Sequence, residues 1–218
     1  MLRALTGALA PSAGKIEIEG APIGGPEDAL PAGIGIVPDV PFQPDHWTAD
    51  DLVRAQRRVE PAYDARLVGA LLRRAGIDPS AQLGRLSAGQ RTRLLLAAAL
   101  GIQPSLVMLD EPFARLDPLA RTDVLDELRE HHAGGEDRTI LLSTHDLGEI
   151  DRFVDHIVLL HAGRVWCSRA ARSTCSRSTC WSPPRPPRRT PQCCGVHAAA
   201  ATCSRPWSGP RTPWAWMG

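Results

Sequence analysis

The chain has 218 residues, enough for one well-buried domain with a tail, and its formal net charge of +1 conceals a division. Eight of the 25 Lys and Arg lie in 166–218, so residues 1–165 carry 17 basic and 24 acidic side chains, a net of −7. That balance argues against a nucleic-acid footprint on the globular part; no run of about 18 apolar residues could form a bilayer-spanning helix; and a body free of cysteine argues against a secreted disulfide scaffold and fits a cytosolic protein.

Taken in chain order, residues 1–9 predict a helix, with Leu2, Leu5 and Leu9 near helical spacing. Arg3 is not followed by an apolar stretch of secretory-signal length. Residues 11–14 read as a turn, and 15–20 alternate with period two, as a half-buried strand does. Gly14-Lys15 is not a phosphate loop: the glycine spacing is wrong and Ile16, not Ser or Thr, follows the lysine. A short strand at 32–37 ends in Pro38-Asp39. Thr48 with Asp51 forms a capping-box pattern that opens a helix through Val59. A second amphipathic helix covers 62–74, with Leu67, Leu71 and Leu72 on one side and Gly76 after its end.

Residues 86–118 are the centre of the chain. Ser87 and Gly89 open a helix whose Leu/Ala-rich body, 94–100, is apolar all round, and Gly101 suits its C-cap. Early helical amides lack intrachain partners and carry the positive end of the dipole, so such a start can receive a phosphate. Residues 106–109 are a continuous apolar run, as in a strand covered on both faces of a parallel sheet. Asp110 and Glu111 follow, at the carboxyl end of that strand, where open α/β sheets bind ligands. Pro118 starts a helix to about residue 132, buried through Val124, Leu125 and Leu128 and ended by Gly134-Gly135. Residues 139–143 are a second apolar strand followed by Thr144-His145-Asp146, then a helix at 147–153 and a strand at 155–160 that turns at Gly163.

The segments Leu86-Ser87-Ala88-Gly89-Gln90, Leu106-Val107-Met108-Leu109-Asp110-Glu111-Pro112 and Arg115-Leu116-Asp117-Pro118 resemble, in order and spacing, the signature motif, Walker B motif and D-loop of an ABC-transporter nucleotide-binding domain. His145, 34 residues after Glu111, matches the family's switch histidine. The resemblance covers about 1–165 and implies an α/β P-loop NTPase-type core with a helical signature subdomain at about 45–100. Asp117-Pro118-Leu119-Ala120-Arg121 resembles the D-loop and its continuation in the subgroup that exports substrates or drives ABC-2-type permeases. The family resemblance also implies two such subunits sandwiching two ATP molecules with Mg²⁺, and a separate transmembrane permease. The place would be cytoplasmic, peripheral on the inner face of the cell membrane. Carried over by position, Ser87, Gly89 and Gln90 would hold the opposite subunit's γ-phosphate and Asp117 would link the two sites. Asp110 would position Mg²⁺, Glu111 would orient or activate the attacking water, and His145 would contact the γ-phosphate.

Two departures accompany the resemblance. The family's Walker A loop has no counterpart in the sequence, which reads as starting inside the helix that follows that loop. The implied consequence is weak ATP binding by this chain alone. Asp39 stands where the family usually places the Q-loop glutamine, and as a carboxylate it is a second candidate for Mg²⁺. Alternatives to an ATP-hydrolysing subunit are a non-hydrolysing partner that lends only its signature face, and a non-functional remnant.

From Trp166 the composition changes: all six cysteines, five of six tryptophans and a Pro/Arg cluster lie there, without hydrophobic periodicity. The stretch reads as lacking regular structure. A metal site has poor support because no C-x-x-C pair occurs, and a membrane-surface segment would need an amphipathic helix. A slipped reading frame near Val165 accounts best for the change. With GC-rich codons chosen for 165–176, a shifted frame can read Val-Val-Leu-Pro-Arg-Gly-Ala-Leu-Asp-Val-Leu, which resembles the family's strand, turn and helix after this point.

Overall fold

The computed structural model describes residues 2–24, 30–135, 137–146, 153–161, 163–170 and 197–202. In chain order these form α1 (Leu2–Leu5), β1 (Ile16–Ile18), β2 (Ala21–Ile23), β3 (Ile34–Val37), α2 (Ala49–Val59), α3 (Ala65–Arg74), α4 (Ala88–Leu100), β4 (Leu106–Asp110), α5 (Pro118–Ala133), β5 (Thr139–Thr144), β6 (His156–His161), β7 (Arg164–Ala170) and β8 (His197–Thr202). The main sheet runs β3-β4-β5-β8-β6-β7, and β1-β2 is a separate hairpin. Strands β3, β4 and β5 are parallel, with Leu106 opposite both Ile34 and Thr139.

Strand β4 explains why two layers meet on this sheet. Val107 and Leu109 are completely buried in the larger core, formed with α2 to α5. Met108 points to the other face, where Leu2, Ile18, Ile23 and Ile34 make a smaller core from α1 and the hairpin. Successive strand residues face opposite ways, so a continuous apolar run is what a doubly covered strand requires. Helix α4 is buried from Arg93 through Leu100 and sits in the middle of the larger core.

Helix ends are set by identifiable residues. Thr48 and Asp51 make the expected capping box at α2, with reciprocal bonds of 2.9 and 3.1 Å. The Thr48 amide holds the Asp51 carboxyl below its ordinary pKa. Helix α3 starts at Ala65 rather than 62, because the Asp64 side chain accepts from the amides of Arg66 and Leu67. Gly101 caps α4 for want of room rather than for a left-handed turn. Its φ is −60°, and a Cβ there would lie 2.6 Å from Val68 and 2.8 Å from the Tyr63 ring.

Three readings of the sequence need revision. The first helix ends at Leu5, not Leu9: Gly7 takes φ +71° and Leu9 is exposed. The strand after Gly163 continues past Val165 to Ala170, paired with β6. His197–Thr202, in the stretch read as lacking regular structure, is a strand between β5 and β6, antiparallel to both. An alanine run has no hydrophobic period to read, yet its backbone can pair on both edges. The helix expected at 147–153 falls almost wholly outside the described residues, as does most of 171–218.

Candidate functional site

Asp110 is the last residue of β4 and Ser143 lies opposite it on β5. The Ser143 hydroxyl donates to Asp110 Oδ1 at 2.6 Å. The Ser143 hydroxyl oxygen accepts from the Glu111 amide at 3.2 Å, and that amide also donates to the Ser143 carbonyl at 3.1 Å. Glu111 has φ +48°, a left-handed conformation that costs a non-glycine residue on the order of 1–3 kcal/mol. The two bonds from its amide to Ser143 hold it there. Glu111 Oε2 in turn lies 2.9 Å from His145 Nδ1. Glu111 is 19% exposed and His145 62%, so the far end of this chain of contacts opens to solvent. The structure thus joins Asp110, Glu111 and His145 through a residue the motifs did not single out. Ser143 was legible only as the end of the strand parallel to Asp110.

Ser87 is the N-cap of α4. Its Oγ accepts from the Gln90 amide at 3.1 Å, and Gln90 Oε1 accepts from the Ser87 amide at 3.0 Å, a complete capping box. A serine that accepts through its oxygen still has its hydroxyl proton to donate. Gly89 is required by space: a Cβ would meet the Arg115 carbonyl at 3.2 Å and Leu116 at 3.3 Å. The start of α4 therefore rests on the loop that follows Glu111. That loop ends at Asp117, the N-cap of α5, which accepts from the Ala120 amide at 2.9 Å ahead of Pro118. Ser87, Gly89, Gln90 and Asp117 are thus carried on two abutting helix starts.

Behind this surface α4 and α5 are tied in the core. Arg93, 9% exposed, reaches Glu127, 1% exposed, and Asp123, each at 3.2 Å. Burial pushes the Glu127 carboxyl up, and the Arg93 charge opposes that rise.

Asp39 is placed differently from Asp110. Its carboxylate is held by Arg115 at 3.0 Å. Among the described residues no three His, Cys, Asp or Glu side chains converge as metal ligands. The donor set at Asp110 nonetheless fits magnesium with a polyphosphate. Hard carboxylate oxygens stand at the sheet's carboxyl edge, Asp110 keeps one oxygen beyond its bond to Ser143, and phosphate oxygens and water complete such a shell. Asp110, with its remaining carboxylate oxygen, is the residue that would face such a metal.

Comparisons with known proteins show the family and the fold. The family model described as ABC transporter matches residues 1–114. Nod factor export ATP-binding protein I of Neorhizobium galegae is 36% identical over 75% of this chain and 48% of its own length. An ABC transporter ATP-binding protein of Halobacterium salinarum is 32% identical over 76% of this chain and 73% of its own. The chain spans about half the length of the Nod factor export proteins it matches. A solved structure of an ATP binding subunit of an ABC transporter superposes with a TM-score of 0.69 at 28% identity, covering 78% of this chain and 72% of that one. The chain belongs to the ABC transporter family.

Proposed function

We propose that the chain is the ATP-binding subunit of an ABC transporter and couples ATP binding and hydrolysis to transport through a separate membrane permease. The observation that carries this is the string Asp110–Ser143–Glu111–His145 at the carboxyl edge of β4 and β5. Bound MgATP would supply the bond to be cleaved and a metal charge that offsets the phosphate oxygens. Asp110, fixed by Ser143, is the metal-side carboxylate. Glu111, held by its backbone and by His145, presents a carboxylate to an attacking water. His145 stands at the exposed end, where its ring can serve a phosphate as well as Glu111.

The second half of the site is the capped start of α4. Ser87 and Gln90 keep donors for an anion after capping each other, and the α4 terminus adds its partial positive charge. In this reading they serve a nucleotide held by a second subunit, and Asp117 on the abutting helix start lies at the same junction. The relatives named above are ATP-binding proteins, which supports the reading. Among the described residues no helix is long and apolar enough to cross a membrane; in this reading a permease chain supplies the membrane span. Val40 and Phe42, 70% and 81% exposed, offer it an apolar contact on the cytoplasmic side.

The test is MgATP hydrolysis by the transporter assembled with this chain. Glu111→Gln is expected to lower kcat by at least about 100-fold, the lower end of what positioned acid–base groups contribute. An unchanged rate refutes the assignment.

A further inference from the structure

Arg115 lies in the loop between the acidic pair and α5, and it reaches back to Asp39. Its Nη2 donates to Asp39 Oδ1 at 3.0 Å and its Nη1 to the Asp39 backbone carbonyl at 2.9 Å. One guanidinium therefore grips both the side chain and the main chain of one residue, although both side chains are about two-fifths exposed. The Arg115 backbone in turn rests on Gly89 at the start of α4. Between Glu111 and Arg115 the chain has little freedom: Ala114 donates to the Glu111 carbonyl and Leu116 to that of Phe113, each at 3.2 Å. Arg91, next to Gln90, secures the other end of the same segment. It donates to the Gln43 carbonyl at 2.8 Å and pairs with Asp45 at 2.7 Å. Residues 39–45 thus form a strap fastened at one end to the loop after the acidic pair and at the other to α4, with Val40 and Phe42 exposed between.

We propose that Arg115 is a positioning residue: by gripping Asp39 while its backbone abuts Gly89, it fixes the loop that follows Glu111 and so the placement of the acidic pair. The use of that placement in hydrolysis rests on the function proposed above; the tie itself rests on the contacts. It also gives Asp39 a role other than metal binding. A carboxylate at this position accepts a charged fork, which the neutral glutamine expected there would accept less strongly.

Two readouts test it. In the full chain, chymotryptic cleavage after Phe42 reports release of the strap. Arg115→Ala is expected to speed it about three- to tenfold, with Asp39→Asn and Arg115→Lys intermediate, as partial loss of one charge-assisted contact implies. Unchanged cleavage in Arg115→Ala, or equal acceleration at Phe153, overturns the tie. In the assembled transporter, Arg115→Ala is expected to lower kcat for MgATP with KM within about twofold of wild type. Faster cleavage with an unchanged kcat overturns the positioning role. A wild-type assembly that hydrolyses nothing overturns the function proposed above and leaves the cleavage result to judge the tie.

Discussion

Replacing Arg93 by Met tests how α4 and α5 are held together. Arg93 is the cation facing Glu127, whose side chain is 1% exposed, while Asp123 is only partly covered. Methionine fills much of the same space but leaves the Glu127 carboxylate buried without its charge partner. Breaking a buried pair from one side costs about 3–5 kcal/mol, a large share of a typical domain's 5–15 kcal/mol. The cost also has a pH signature. Burial already raises the Glu127 pKa in the fold above its ordinary 4.5, and losing Arg93 raises it further. A carboxyl raised in the fold binds its proton more readily there than in the unfolded chain. Its contribution is therefore fully present below the unfolded value and is lost as pH rises through the folded one. The difference between wild type and Arg93→Met, measured by urea denaturation, is expected to be largest near pH 7.5 and to shrink toward pH 4.5. A difference under about 1 kcal/mol at pH 7.5, or one that does not change with pH, refutes the argument.

Other outcomes follow from single contacts. His131 is buried, with Nε2 against the Pro104 carbonyl and Nδ1 beside Arg138, and burial lowers its pKa to about 4. Because the unfolded chain takes the proton first, stability is expected to fall from about pH 6.5 to pH 4 by roughly 3 kcal/mol, and His131→Gln to flatten that slope in a pH series of denaturation curves. Gly101→Ala drives a Cβ into Val68 and Tyr63 and is expected to cost about 1–3 kcal/mol, read as a lower urea midpoint at constant slope. Ser143→Ala removes the bond to Asp110 and one of two acceptors for the Glu111 amide. It is expected to weaken Mg²⁺ dependence and lower kcat while the urea midpoint moves little, and wild-type Mg²⁺ titration with wild-type kcat would contradict it.

Much of the fold and the acidic pair is legible in the amino-acid sequence. The run at 106–109 announces a strand buried on both faces, and the next two residues place the acidic pair at its end. Ser87 and Thr48 announce helix starts because capping is local chemistry, written within four residues. Contacts across long sequence separations are not written that way. Ser143 meets Asp110 only because β4 and β5 pair in one register. Arg115 finds Asp39 across the site, and Arg93 finds Glu127 across two helices. Gly101 looks like an ordinary helix stop and proves to be a space requirement set by Tyr63. The strand His197–Thr202 was invisible for another reason, since alanines carry no inside–outside pattern.

In the function proposed above, the acidic pair of one subunit and the α4 start of another complete one nucleotide site. Mixing two variants tests it directly. Ser87→Arg spoils the helix start and Glu111→Gln spoils the acidic pair, so each alone should be inactive in the assembled transporter. In a mixed dimer, a shared site leaves one site with both lesions and the other with none. The expected result is recovery of MgATP hydrolysis on mixing, to about half of wild-type turnover per mixed dimer if its two sites act independently. No recovery in dimers shown to be mixed contradicts the claim.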